Sequence, residues 1–326
     1  MQFHNQGVMK MKAKLILSMV AMSAVSLTAA AEDFSWGNVT FQPRAYMGYA
    51  DYELKSGTFD FSFIELDGSE TNSKGPFEMA WFYKDKIPIK GFLAGIGGTV
   101  ATGRFFSDFY YQSTPNDTAY SSNTIDNFED SGYTVPLGSV NAKHSDWAIS
   151  LGYIITDQWS VFAGYKSGNT EWDQGYQFDN PDKTTAAWGK VSGQFDQDGP
   201  FLGTSYSFPI GPGALTIKAA YAYLDGKYKW ENRGYDYRPE LTNYGFEWDI
   251  GGNSNAYSLG ISWTQSLTEH LGYSFGANYH KYEFDVSGSG LTPKTLANYD
   301  LISGQVNSGS LTEELLTLTA SIFYRF

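Results

Sequence analysis

The 326-residue sequence has no cysteine, which removes a disulfide framework, a thiolate metal site and a Cys nucleophile from consideration. After residue 31 no run approaches the roughly 18 consecutive apolar residues that a membrane helix requires. Basic side chains are scarce, with 22 Lys and Arg against 35 Asp and Glu and a formal net charge of -13. An acidic chain of this kind is repelled by phosphate backbones, so nucleic acid is excluded as a partner.

Aromatic residues, by contrast, make up 17% of the chain, including 24 Tyr, and 35 Gly accompany them. This is a β-rich composition with many close backbone approaches. The mean hydropathy of -0.34 is compatible with a membrane location, because a spanning strand is apolar on one face only.

Lys10, Lys12 and Lys14 precede an apolar run from Leu15 to Leu27, and Ala29, Ala30 and Ala31 follow. These are the charged, apolar and small-residue regions of a secretory signal peptide, so residues 1–31 are expected to be cleaved and 32–326 to form the mature domain. Met9 and Met11 are alternative starts. Cleavage would remove three of the 22 basic side chains and no acid, leaving 19 basic against 35 acidic.

The last stretch, Leu311 to Phe326, alternates as a strand does. Glu314, Leu316, Leu318, Ala320, Ile322, Tyr324 and Phe326 share one face, with Thr317, Thr319, Ser321, Phe323 and Arg325 on the other. A strand ending on a C-terminal Phe, with Tyr and Ile at two-residue steps before it, resembles the terminal signal of Gram-negative outer-membrane β-barrel proteins. The resemblance implies that Ile322, Tyr324 and Phe326 are read by the barrel-assembly machinery. It also implies that the last strand closes the barrel against the first, amid outer-membrane lipid and lipopolysaccharide.

The chain before it fits an all-β, transmembrane, antiparallel up-and-down barrel. Strands are expected at Val39–Tyr52, Phe77–Asp85, Phe92 to Gly103 with an extension to Tyr111, Asp146–Ile155, Trp159–Lys166, Phe201–Phe208, Leu215–Tyr223, Ala256–Thr264, Leu271–His280 and the closing segment. That is ten, or twelve if Phe59, Phe61 and Phe63 mark an added hairpin arm. Their Tyr, Leu, Ile and Trp lie on one face and Gly, Ser and Ala on the other. A soluble barrel would put more Lys, Glu and Arg on the small-residue face, whereas a membrane barrel needs small polar residues in a narrow lumen and aromatics at the interfaces. Closure removes sheet edges that lipid could not satisfy.

Short turns at Lys86–Gly91, Thr156–Gln158, Gly211–Gly213 and Thr268–His270 are expected to be periplasmic. Five long extracellular loops are expected at 55–75, 115–142, 179–197, 231–254 and 288–310. A ten-stranded lumen lies near the limit at which side chains fill the interior. Arg44, Glu78, Lys84, Lys166, Lys218, His280 and Glu313 are the candidates to line it, either as plugs or along a path for small solutes.

Enzyme motifs are absent. Omptin-like proteases, also ten-stranded, use an Asp-x-His couple where this chain reads Asn278, Tyr279, His280, and an amide cannot charge-stabilise an imidazole. Barrel phospholipases and lipid A deacylases place His and Ser two residues apart, but His144 is followed directly by Ser145. The acidic pairs Asp196/Asp198 and Glu129/Asp130 match no metal motif, and no cofactor is expected. Tyr235, Tyr237, Tyr244 and Trp248, interleaved with charged residues, suit ligand contact. The expected role is thus a small porin-like channel or structural outer-membrane protein without enzymatic activity, the alternative being a surface adhesin or ligand-binding protein.

Overall fold

The computed structural model describes residues 39–65, 68–76, 86–115, 117–119, 137–179, 185–236, 244–293 and 301–326. The expected signal peptide, residues 1–31, lies outside these residues, as do the expected strand Phe77–Asp85, with Glu78 and Lys84, and Tyr237. The described residues contain thirteen strands and no helix. In chain order they are β1 (Val39–Ser56), β2 (Thr58–Glu65), β3 (Glu70–Pro76), β4 (Lys86–Thr102), β5 (Phe105–Ser113), β6 (Asp117–Ala119), β7 (Leu137–Ile154), β8 (Trp159–Asp179), β9 (Thr185–Ile210), β10 (Gly213–Asp236), β11 (Tyr244–Ser266), β12 (Leu271–Pro293) and β13 (Leu301–Tyr324).

Ten of them form an antiparallel ring, β1-β4-β5-β7-β8-β9-β10-β11-β12-β13, which closes where β13 pairs with β1 from Arg44↔Phe323 to Ser56↔Leu311. The hairpin β2–β3 continues the sheet on β13, with Val306 opposite Phe61; this is the added arm anticipated from the three Phe. Short connections gather at one end with the chain's described termini, since the Phe326 N–H donates to the Phe41 carbonyl and the Arg325 N–H to that of His270. Gly103 and Gly211 turn the chain there with φ of +54°, a conformation that favours glycine. In outer-membrane barrels this short-turn end is the periplasmic one.

The organising feature is an exchange of faces partway along the long strands. Near the short turns the outward residues are apolar: Met47 and Tyr49 on β1, Ile217, Tyr221 and Tyr223 on β10, and Ile261, Leu259 and Tyr257 on β11 are all exposed. Their inward neighbours Gln42, Arg44, Thr216, Ser262 and Thr264 are polar and buried. Beyond the last aromatics the pattern inverts. Asp51, Asp225 and Asn255 begin a polar exterior, while Tyr52, Leu54, Leu224, Tyr228 and Ile250 turn inward at 0 or 1% exposure. The lower half is therefore built for lipid outside, and the upper half is built like a soluble barrel around an apolar core. A spanning strand needs about 9–11 residues, so the 26 residues of β9 run well past the membrane.

This inversion explains where the sequence expectations differ from the structure. Most of the stretches expected as extracellular loops are continuations of strands, because charged residues on the outer face lower the average hydropathy without interrupting the two-residue alternation. Lys86–Gly91 is not a turn: these residues pair with Lys55 to Ala50 of β1. Pro88 is accommodated because β5 joins β4 only from Ala94 onward, leaving β1 as the one described pairing partner at that height, and Pro is tolerated in such edge-like positions. The segment extending to Tyr111 is a separate strand, β5, set off by Gly103. It brings the ring to ten.

Placing Arg at Ile261, on the lipid-facing band, is expected to lower unfolding free energy in vesicles by about 2–4 kcal/mol. Asn253→Arg, on the same strand above the band, should change it by no more than about 0.5 kcal/mol. Denaturant titrations of the two variants would check the membrane boundary.

Candidate functional site

Alternation aims a column of polar side chains into the lumen. Within the membrane-spanning half, Arg44 on β1 reaches across β4 to β5. Its Nη1 and Nη2 donate to the two Asp108 carboxylate oxygens at 2.6 and 2.8 Å, a bidentate pairing that fixes both groups. The Thr99 hydroxyl accepts from Arg44 at 3.1 Å and donates to Asp108 at 2.5 Å. Lys218, on β10, lines the same void of about 150 Å3.

A second polar layer lies at and just beyond the upper aromatics. The Lys166 ammonium on β8 is 2.7 Å from the Tyr282 hydroxyl and 3.3 Å from Asp146 Oδ2. The same hydroxyl lies 3.0 Å from His280 Nδ1. Glu313, on β13, accepts from Gln197 Nε2 at 2.6 and 2.8 Å and from the Tyr52 hydroxyl at 3.4 Å. Thr170 Oγ1 then links the Tyr52 hydroxyl at 2.7 Å to His144 Nδ1 at 2.9 Å, and the rings of Tyr52 and His144 stack at 4.4 Å. Each of Asp146, Lys166, His144, His280 and Glu313 is no more than 8% exposed.

Above this layer the interior is apolar. Phe195 meets Phe284 edge-on at 5.0 Å and Phe61 meets Trp248 at 5.5 Å, among Leu54, Phe59, Ile87, Ile89 and Leu224 at 0% exposure. The burial acts on the two titratable groups that sit beyond the upper aromatics. It pushes the Glu313 carboxyl up to about 7, with Lys166 and the Gln197 hydrogen bonds opposing. It pushes the His144 imidazole down to about 4, with Asp146 opposing.

Among the sequence candidates, Arg44, Lys166, His280 and Glu313 are buried inside the barrel, and Lys218 faces its central void. Arg44, Lys166, Lys218 and His280 line one void, and Glu313 lies outside its lining. Ile322, Tyr324 and Phe326 face outward at 65, 42 and 70% exposure, with Phe326 stacked on Phe41. Trp248 is not a ligand-facing loop residue. It shares the inward face of β11 with Ile250 and is 6% exposed. Tyr235 and Tyr244 belong to β10 and β11.

Asp146 is an addition to the sequence candidates; its two-residue spacing from His144 is the signal that places both on one face. Asp108, Tyr52, Tyr282 and Gln197 became candidates only through contacts made across the barrel. Among the described residues, no three His, Cys, Asp or Glu side chains are grouped to hold a metal ion. The cluster can hold charge and relay hydrogen bonds, but its acids and imidazoles lie between a core and a void, away from the outer surface.

Because the Glu313 pKa is raised in the folded state, folding favours its protonated form. Its ionisation costs stability as pH rises from about 4.5 to about 7. The gain in unfolding free energy from Glu313→Gln should therefore be larger at pH 8 than at pH 4, by about 3 kcal/mol. Paired denaturant titrations at the two pH values cancel the opposite contribution of His144, which is common to both proteins.

No family model matches the sequence, and no curated protein matches it. Among solved structures, the chain is similar to the outer membrane protease OmpT from Escherichia coli, at 11% identity over 91% of this chain and 99% of that one, with a TM-score of 0.55. A FadL homologue of Pseudomonas aeruginosa overlaps at 10% identity, 87% and 90% coverage and a TM-score of 0.34. OprG of Pseudomonas aeruginosa overlaps at 11% identity, 88% and 95% coverage and a TM-score of 0.32. The last two overlaps are too loose to carry an argument, and the identity to OmpT extends to fold alone. With the outward apolar band, the fold is that of a Gram-negative outer-membrane β-barrel.

Proposed function

We propose that the protein is a closed, non-conducting outer-membrane barrel that presents a water-facing upper barrel at the cell surface, acting there as a binding or adhesin-like protein without enzymatic activity. The observation that carries this reading is the apolar core of the upper half, where Leu54, Phe195, Leu224, Tyr228 and Phe284 are all at 0% exposure. Ion passage requires a wetted path, and the polar lumen of the lower half ends beneath this core. A purely structural membrane anchor has no need of strands as long as 24 to 26 residues. Here the added length carries a charged exterior, with Asp51, Asp225 and Lys229 on outward positions. The porin-like alternative draws on the small Ser, Gly and Ala of the lower lumen.

Planar-bilayer recordings of the refolded, heat-modifiable protein should show no unitary steps, and Lys166→Ala and Lys218→Ala should be equally silent. Regular steps whose ion selectivity changes in those variants would overturn the closed-barrel reading. Cells displaying the protein should be retained on immobilised glycan or matrix-protein surfaces several-fold more than cells lacking it, and equal retention would remove the binding role.

A further inference from the structure

The void in the lower lumen has a composition that neither a structural plug nor a water channel requires. One wall is aromatic, formed by Phe106, Phe162 and Phe201. Phe162 lies over Gly203 and Phe201 over Gly164, so that a Cβ at either glycine would run into the facing ring. The two rings meet edge-on at 6.2 Å. Glycine at these positions thus lets two rings lie against the barrel wall and leave the centre open.

The same lining is rich in donors. Arg44, Lys166 and Lys218 face the void with Asp108 as the one acidic side chain of its lining, while Asp146 lies against Lys166. Asn278 and His280 also line it; they are 7 and 8% exposed, and Asn278 Nδ2 and His280 Nε2 have no hydrogen-bond partner among the described residues. Lys166 donates to the Tyr282 hydroxyl, and where that hydroxyl donates in turn to Nδ1 the ring proton resides on Nε2. A buried donor left unmatched costs about 1–3 kcal/mol, and two such donors with cationic side chains beside them suit a carboxylate.

The size fits one ring. The void measures about 150 Å3, and apolar cavities of ~150 Å3 accept benzene. Its lining runs down β8 from Lys166 to Ser160 and includes Ser205, which pairs with Ser160 next to the short-turn end. Above Tyr282 the core closes it.

The geometry points to a binding site in the lower lumen for a small aromatic carboxylate, its ring against Phe106, Phe162 and Phe201 and its carboxylate met by Lys218, Asn278 Nδ2 and His280 Nε2. This site is separate from the surface role proposed above, and its occupancy does not require conduction.

Benzoate is the probe, titrated calorimetrically into the refolded full barrel, with acetate and toluene supplying the charge and the ring separately. Benzoate should bind saturably at one site, at least tenfold more tightly than either half-probe. Lys218→Met should weaken it at least tenfold, and Ala220→Phe, which fills the void while leaving every charged group in place, should abolish it. Heat-modifiable migration identifies the folded variants, and Asn278→Leu replaces any that does not fold, with the same tenfold loss expected. No heat of binding to the folded wild type, toluene binding as tightly as benzoate, or binding that survives Ala220→Phe would each overturn the assignment.

Discussion

Each long strand has to satisfy two solvents in turn, and this requirement governs the molecule. In lipid, the outer face must be apolar and all backbone polar groups must be paired within the ring. A few residues further on, the same strand is surrounded by water, where burial of apolar side chains favours the inner face. The backbone need not change for this to happen. Only the parity of the apolar positions changes, from Tyr221 and Tyr223 outward to Leu224 and Tyr228 inward on β10.

The polar layer of Asp146, Lys166, Tyr282, His280 and Glu313 lies where that exchange takes place. The inner wall there is neither part of the apolar core nor part of the small-residue lumen, and long side chains from four strands fill the cross-section. Charged groups buried this deeply are stable together and costly apart. Removing one partner of a buried pair costs about 3–5 kcal/mol, so the layer fixes the strands' relative heights as well as separating the two interiors. Below it the lumen retains a void lined by both aromatic rings and hydrogen-bond donors. Above it the described residues Leu54, Phe195, Leu224, Tyr228 and Phe284 form an apolar core.

Much of this was legible in the chain. Alternation at two-residue spacing identifies which residues share a face on β7 to β13, and the aromatic ends of those faces mark the lipid band. The C-terminal strand was readable to the last residue because lipid exposes Ile322, Tyr324 and Phe326 in sequence. The upper barrel was harder to see. In 244–254 the inward Trp248 and Ile250 are interleaved with Glu247 and Asp249, so a window average looks polar and loop-like although the alternation continues. Pro88 suggested a turn, since the sequence does not show that β5 stops short of its height. Gly103 looked like one more small residue of a Gly-rich strand, when its positive φ is what divides β4 from β5.

The sequence settles which residues of the lipid-facing strands share a face, because parity is a local property of the backbone, and the lack of a long apolar run excludes a helical span after residue 31. Tertiary structure decided which inward residues meet. Arg44 with Asp108, Lys166 with Asp146 and Tyr282, and Glu313 with Gln197 lie 64, 20, 116 and 116 positions apart. Ring closure and strand register set such distances across the lumen, and no local pattern encodes them.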